Sequence, residues 1–377
     1  MSAISDRAPR WSLCLQTLLV AGVLVGLVLP VSAAPVGDPP PPTAPVQEQL
    51  DWFRAKIKEL EDLAKAQAAK KSPRGNEKVK VSGYVQAQVA SDQAASPQTD
   101  FRIRRSRIKL AGPISPNAAF AIQLDASSTV TLKDAYIDLI PSGAGWRLRI
   151  GQDLIPFEYE VLESDATRLE PERTQMAGVF FPSERDIGAW VQFSNPHGMT
   201  VDAGVMNGNG PNNKDNNDNK TVLARVRVPL GGKLRDPGHE ANSVYVAVLS
   251  GDFTKDSTTA SREAIGVGIS YLIGRLLLQG EFLSGDEAGK DVTGWYAHVA
   301  LPLQRTEETL FFRIEAYDED TDTPDTTYRG LVIGIQHDVD GNTRIVLAHE
   351  FRDPDAGFSG FGKLDGDATT LRVQVKF

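Results

Sequence analysis

From Lys78 to Phe377 apolar and polar residues alternate with a period of two, the spacing of a strand whose two faces meet different surroundings. In KVKVSGYVQAQV, Val79, Val81, Gly83, Val85, Ala87 and Val89 fall on one face, and Lys78, Lys80, Ser82, Tyr84, Gln86 and Gln88 on the other. One face suits lipid and the other water. The same segment type recurs at 101–112, 117–126, 132–140, 145–152, 185–194, 198–207, 221–230, 241–251, 261–272, 275–284, 291–300, 308–318, 326–338, 342–352 and 368–377, which makes sixteen with the first. The connections add an independent regularity. PISPN, PSGAG, NPHG, Ile273-Gly274 and DVDGN are short turns after even-numbered segments. Asp153 to Glu184, GNGPNNKDNNDNK, GDFTKDSTTA and DPDAGFSGFGKLDGD are longer, polar connections after odd ones. Short turns on one rim, long loops on the other and an even strand number predict an all-β fold over 78–377, a sixteen-stranded antiparallel transmembrane β-barrel of the bacterial outer-membrane kind. The final LRVQVKF alternates up to an aromatic residue, as a strand closing against the first would, leaving no unpaired edge.

Upstream of the barrel the period changes. In QEQLDWFRAKIKELEDLAKAQAAKK, Leu50, Phe53, Ile57, Leu60 and Ala64 recur at alternating steps of three and four, predicting a short amphipathic or coiled-coil helix over 47–71, periplasmic if the barrel is in the outer membrane. Self-association through its two or so heptads and docking of one helix on a neighbouring surface remain alternative readings. A Pro-rich linker at 34–46 precedes the helix and a second linker, 72–77, follows it. At the start, Arg7 and Arg10 precede an apolar run from Leu13 to Leu29, and Val31-Ser32-Ala33 has the small residues a signal peptidase reads. Residues 1–33 are therefore expected to be a cleaved signal peptide; an uncleaved inner-membrane anchor is the competing reading. Cys14 opens the apolar run, where a lipidated cysteine would close it.

Composition narrows the chemistry. Of 377 residues 40 are Lys or Arg and 49 Asp or Glu, a net charge of -9, and loss of Asp6, Arg7 and Arg10 with the leader makes it -10. That excludes a basic nucleic-acid binder. Cys14 is the only cysteine, so the exported chain has no disulfide framework and no thiolate nucleophile. NNKDNNDNK at 212–220 is oxygen-rich but lacks the glycine and terminal glutamate of a calcium loop, and reads as a solvated surface loop. Asp318, Glu319, Asp320, Asp322 and Asp325 would bridge lipopolysaccharide through divalent ions or simply form a solvated loop. The five histidines lack metal spacing, and neither His298 nor His349 comes with a nucleophile motif, so no enzyme and no cofactor is expected.

Parity within the segments then assigns the lumen. With Ile108 and Leu110 towards lipid, Arg105, Arg107 and Lys109 point inward; Phe101 and Ile103 have the opposite parity, making Arg102 and Arg104 inward. A bulge near Arg104-Arg105 would turn all five to the interior. Arg147, Arg149, Arg225 and Arg227 are inward on their own strands, and Arg185 opens the sixth. Guanidinium groups stay charged and fit phosphate and carboxylate oxygens, so this wall would concentrate anions; arginines that merely stiffen the barrel against acids are the competing reading. The segment from Asp153 to Glu184 argues the other way. It carries Glu158, Glu160, Glu163, Asp165, Glu170 and Glu172 besides its two terminal acids, against Arg168 and Arg173, a net of -6. An acidic loop opposed to a basic wall would set a transverse field across the lumen.

FRIRRSRIKLAG at 101–112, LKDAYIDL at 132–139, LRIGQDLIPFEYE at 148–160, SERDIGAWV at 183–191 and GVMNGNG at 204–210 resemble, in order and spacing, the phosphate-selective porin O and P family. The resemblance covers essentially the whole barrel. It implies a trimeric outer-membrane channel with a ladder of arginines, narrowed by an inward-folded third long loop, here 153–184, and it accommodates a helical extension before the barrel. The expected function is passive diffusion of small hydrophilic solutes with a preference for anions such as phosphate. The expected surroundings are outer-membrane lipid and lipopolysaccharide, with two further copies of the chain. A weakly selective or cation-selective porin, and a tether from outer membrane to cell wall through the helix, are the alternatives.

Overall fold

The computed structural model describes residues 79–141, 145–231, 242–255, 258–360 and 366–377, together with residues 47, 48, 51, 55 and 58. Gln47, Glu48, Asp51, Ala55 and Lys58 are helical and exposed. The apolar seam from Leu50 to Ala64, the leader at 1–33 and the linkers at 34–46 and 72–77 lie outside the described residues.

Sixteen strands follow one another: β1 (Lys80–Asp92), β2 (Thr99–Ser115), β3 (Ala118–Asp125), β4 (Thr131–Leu139), β5 (Trp146–Leu154), β6 (Arg185–Ser194), β7 (Thr200–Met206) and β8 (Thr221–Pro229) in the first half. The second half is β9 (Ser243–Lys255), β10 (Thr258–Ile273), β11 (Leu276–Glu287), β12 (Lys290–Pro302), β13 (Glu308–Asp318), β14 (Thr327–Asp338), β15 (Thr343–Pro354) and β16 (Ala368–Lys376). Each pairs antiparallel with its sequence neighbours, and β1 pairs with β16, closing the ring. Every strand end falls within four residues of the bound set by the alternation. The connection GDFTKDSTTA departs from expectation. It is not a long loop: β9 and β10 run on into it and pair up to Lys255 and Thr258. Beyond the membrane both faces of a hairpin meet water, so alternation disappears while the backbone ladder continues.

The polarity is that of a protein dissolved in lipid. Val85, Ile108, Ile137, Ile150, Val246 and Trp295 are exposed on the outside, whereas Gln86, Arg107, Asp134, Arg225 and Gln374 are buried on the inside. Closure of the ring leaves no strand edge to be satisfied by absent water. Among the described residues no helix is long and apolar enough to cross a membrane. The short connections and the β1 start share one rim, the periplasmic one by the usual asymmetry of such barrels.

Two local irregularities shape the wall on either side of β1. Between β1 and β2 the register slips, so that Gln86 faces Arg105 while Ala87 faces Ile103, with Arg104 the extra residue of a β-bulge. At the seam, Gly83 and Phe377 exchange backbone hydrogen bonds of 3.0 Å in both directions. A Cβ on Gly83 would stand 2.3 Å from the Arg107 carbonyl oxygen and 2.7 Å from the Phe377 ring. An aromatic ring thus covers a glycine across the closing pair. Gly83→Ala is expected to cost about 1–3 kcal/mol through this overpacking. The check is the temperature at which the folded band is lost on electrophoresis; an unshifted midpoint would refute it.

Candidate constriction site

The segment between β5 and β6 folds into the barrel, and apolar chemistry holds one side of it there. It contains two short helices, α1 (Tyr159–Leu162) and α2 (Gln175–Phe180). Phe157, Tyr159, Val161, Met176, Phe180 and Phe181 are buried, and they join one cluster with Leu223, Tyr245, Leu249, Leu283 and Tyr317 from the inner wall of β8, β9, β11 and β13. Two wall glutamates complete the anchor. Glu281 accepts hydrogen bonds from the backbone N–H groups of Tyr159 and Glu160, at 2.5 and 3.0 Å, and from the hydroxyls of Tyr245 and Tyr296, both at 2.6 Å. Glu315 accepts from the Gln175 backbone N–H at 2.8 Å. Each carboxylate satisfies donors that the first turn of a helix leaves unpaired. Thr174 caps α2 from within, its Oγ1 accepting from the Ala177 N–H at 3.1 Å.

Charge holds the other side. Asp165, its side chain 1% exposed, lies 3.2 Å from Arg105 Nε, 2.8 Å from Arg107 Nη1 and 3.3 Å from Arg173 Nη2, and it also bonds Arg168. Burial alone would raise its pKa, but Arg105, Arg168, Arg173 and Arg107 together hold the carboxyl well below the usual range. Glu172 is gripped by Arg104 through Nε and Nη2, at 2.7 and 2.6 Å, by Arg105 at 3.4 Å and by Arg372 at 3.0 Å. The wall also donates to the loop backbone: Gln86 to Asp165 O at 2.9 Å, Arg344 to Thr167 O at 3.2 Å, and Arg372 to Pro171 O at 2.8 Å. Glu170 meets His298 Nδ1, which against the cost of burial brings the carboxyl down to about 2.

The acids and arginines therefore touch, rather than opposing one another across an open passage. The bulge explains how: it brings Arg104 and Arg105, adjacent in sequence, to the same carboxylate. Within the loop, Arg173 donates to Glu184 Oε1 at 2.6 Å and to Glu163 O at 3.0 Å, and Glu160 accepts from the Thr174 N–H at 3.1 Å. Glu158 is the exception. It is 1% exposed and among the described residues neither carboxylate oxygen has a hydrogen-bond partner, so burial first, and then Glu281 and Glu160, push its pKa well above the carboxylate range.

The remaining wall residues divide in two. Arg225 is 1% exposed and lies beneath the loop, 5.4 Å from the Tyr159 ring and 4.6 Å from the Tyr245 ring, a packed cation rather than an open one. Arg185 is buried between Asp134, at 2.8 Å, and Glu184, at 3.0 Å. Arg227 reaches Thr200 Oγ1 and Gly198 O, both at 3.3 Å. Arg149 grips both oxygens of Asp138 at 2.7 Å and stacks 3.6 Å above the Tyr136 ring. Four of the predicted wall cations keep water access: Arg102, 48% exposed; Arg104, 35% exposed in its pair with Glu172; Lys109, 31% exposed and 3.1 Å from Asp134; and Arg147, 36% exposed and 3.6 Å from Asp138. Parity on the last strands would also have found Arg313, Arg344, Arg352 and Arg372, all inward. The two wall glutamates could be placed inside by the same rule, but not matched to helix ends.

A closed sixteen-stranded barrel, apolar without and charged within, narrowed by an inward-folded loop, defines the porins of the outer membrane. The model of the family described as phosphate-selective porin O and P matches residues 79–364, and the chain belongs to that family. It is a family of channels, not of enzymes. Among solved structures, the anion-selective porin from Comamonas acidovorans aligns with a TM-score of 0.59 at 15% identity, covering 80% of this chain and 99% of that one. OmpT of Vibrio cholerae in its trimer form aligns at 0.61 and 10% identity, covering 80% and 99%. Salmonella typhi OmpF in complex with daunomycin aligns at 0.59 and 10% identity, covering 80% and 98%. At these identities the likeness is one of fold. No curated protein sequence matches the chain.

Proposed function

We propose that this outer-membrane diffusion channel favours small anions, phosphate among them, and works as a homotrimer. One observation carries the preference. In the pairs Lys109–Asp134 and Arg147–Asp138 the cation is 31% and 36% exposed while its acid is only 4% and 8% exposed. Each pair turns its positive end to the water and hides its negative end in the wall. A passing anion meets donors, whereas a passing cation meets no accessible carboxylate there. No covalent step is involved: the solute exchanges hydration for successive contacts and leaves by diffusion.

Replacing both Lys109 and Arg147 by Gln is expected to lower the anion-to-cation permeability ratio about twofold or more, since the local field that concentrates anions is removed. Reversal potentials across planar bilayers under a KCl gradient, with and without added phosphate, read this directly. An unchanged ratio would sink the proposal. A second reading, a weakly selective porin, is favoured by the neutralisation of Arg104, Arg105 and Arg107 by Glu172 and Asp165; it is the outcome if the unmodified channel gives a reversal potential near zero.

A further inference from the structure

Where Glu170, Pro171 and Glu172 of the loop meet the inner wall, on the long-loop side of the barrel, there is a cavity of about 50 Å³, room for a few waters or one small solute in their place. Its lining is of two kinds. Ala90, Val332, Ala348 and Ala368 make an apolar floor of short side chains. Around them stand three guanidiniums, Arg102, Arg313 and Arg352, and four carboxylates, Asp92, Glu170, Glu172 and Glu350. Arg352 lies 3.1 Å from both Asp92 and Glu350. Arg313, only 1% exposed, donates to Glu172 O and to Glu315, both at 3.0 Å. Among the described residues the buried Nε groups of Arg313 and Arg352 have no hydrogen-bond partner. Arg102 is half exposed and, among the described residues, pairs only with Asp100, at 4.0 Å.

We propose that this cavity is a transit site for small zwitterionic solutes of the α-amino acid class. The inference rests on the channel reading above and adds a solute class to it. A simple anion drawn to the three guanidiniums meets four carboxylates, and a simple cation meets the reverse. A molecule carrying one carboxylate and one ammonium satisfies both sets at once: its carboxylate faces Arg102, the most open guanidinium of the lining, and its ammonium faces Asp92 and Glu350, 30% and 20% exposed, whereas Glu172, 38% exposed, is already held by Arg104, Arg105 and Arg372. The alanine floor leaves room for a small apolar side chain. Specificity then comes from opposed charges that reject singly charged competitors, not from tight binding, which would stall transport.

The test is titration of the open-channel KCl current with L-alanine from the extracellular side, against propionate and ethylamine as single-charge controls. The expected result is saturable block in the millimolar range by L-alanine, with both controls about tenfold weaker or worse. Arg102→Gln and Asp92→Asn should each weaken the block about tenfold, the worth of one charged hydrogen bond. Arg102 is half exposed, so its variant tests the site even if the Asp92 variant folds poorly. Propionate blocking as well as L-alanine, or block unmoved in the Arg102 variant, would overturn the inference. A channel that conducts without any alanine effect refutes this site alone, whereas no conductance in plain KCl refutes the channel reading. In that case equilibrium dialysis of labelled L-alanine against the detergent-solubilised protein still reads the site, and absence of saturable uptake overturns it.

Discussion

Asp165→Asn should release the ionic half of the constriction loop, giving channels of larger and noisier conductance. The carboxylate is 1% exposed and is the shared counter-charge of Arg105, Arg107, Arg168 and Arg173. Neutralising it leaves four guanidiniums packed together with their main compensation gone, and removal of one partner from a buried ion pair costs roughly 3–5 kcal/mol. The apolar anchor around Phe157 and Phe180 does not depend on that charge, so the barrel and the base of the loop should persist while the stretch around Arg168 swings free. Single-channel recording gives the conductance, and limited trypsin digestion should find new cuts after Arg168 or Arg173. A variant with wild-type conductance and no new cleavage would show that the loop is held elsewhere.

Docking of the loop should be strongest at intermediate pH, with its alkaline limit set by Glu158 and Glu163. Both carboxyls have their pKa raised by burial, that of Glu163 to about 7, so their contributions to docking are full below the ordinary value of 4.5 and are lost as pH rises through the raised values. Asp165 and Glu170 are lowered, so their contributions are full above the ordinary carboxylate range and fade as pH falls, for Glu170 between 4.5 and about 2. The two limbs have separate owners. Glu158→Gln and Glu163→Gln each keep the shape of the neutral acid and remove its titration, so in the double variant the alkaline rise in current noise should vanish while the acid rise remains. Noise spectra of wild type and variant recorded from about pH 3 to about pH 9 decide it. An alkaline limb that survives in the double variant would clear Glu158 and Glu163 of the role.

The barrel was legible because its signal is repeated sixteen times and each copy obeys the same physical constraint, lipid on one side and water on the other. Parity even located the bulge at Arg104, where the apolar residues change sides between Ile103 and Ile108. The loop was legible as long and acidic, but its place inside the barrel was not written in period two. Inward positions such as Leu223, Tyr245 and Leu283 break the polar-inside rule, and only their contact with Phe157, Tyr159 and Phe180 explains why. Pairing was the least accessible part. Asp165 and its arginines on β2 lie some sixty positions apart in the chain, and nothing local in either stretch names the other. A net charge counted along a loop says how many acids it has, not which are already neutralised; here Asp165 and Glu172 are.

The order of strands around the ring bears on how the molecule is made. Every neighbour in the sheet is a neighbour in sequence except β1 and β16. Strand pairing up to that seam is a succession of hairpins, each closing a loop that costs little chain entropy, whereas the seam joins residues such as Val85 and Val375 from opposite ends of the barrel's sequence. Growth of the sheet is therefore local and its completion is a single long-range step. Until that step is taken, a half-built barrel carries two sticky edges, of β1 and β16, and its natural hazard is to join those of another unfinished copy instead of its own.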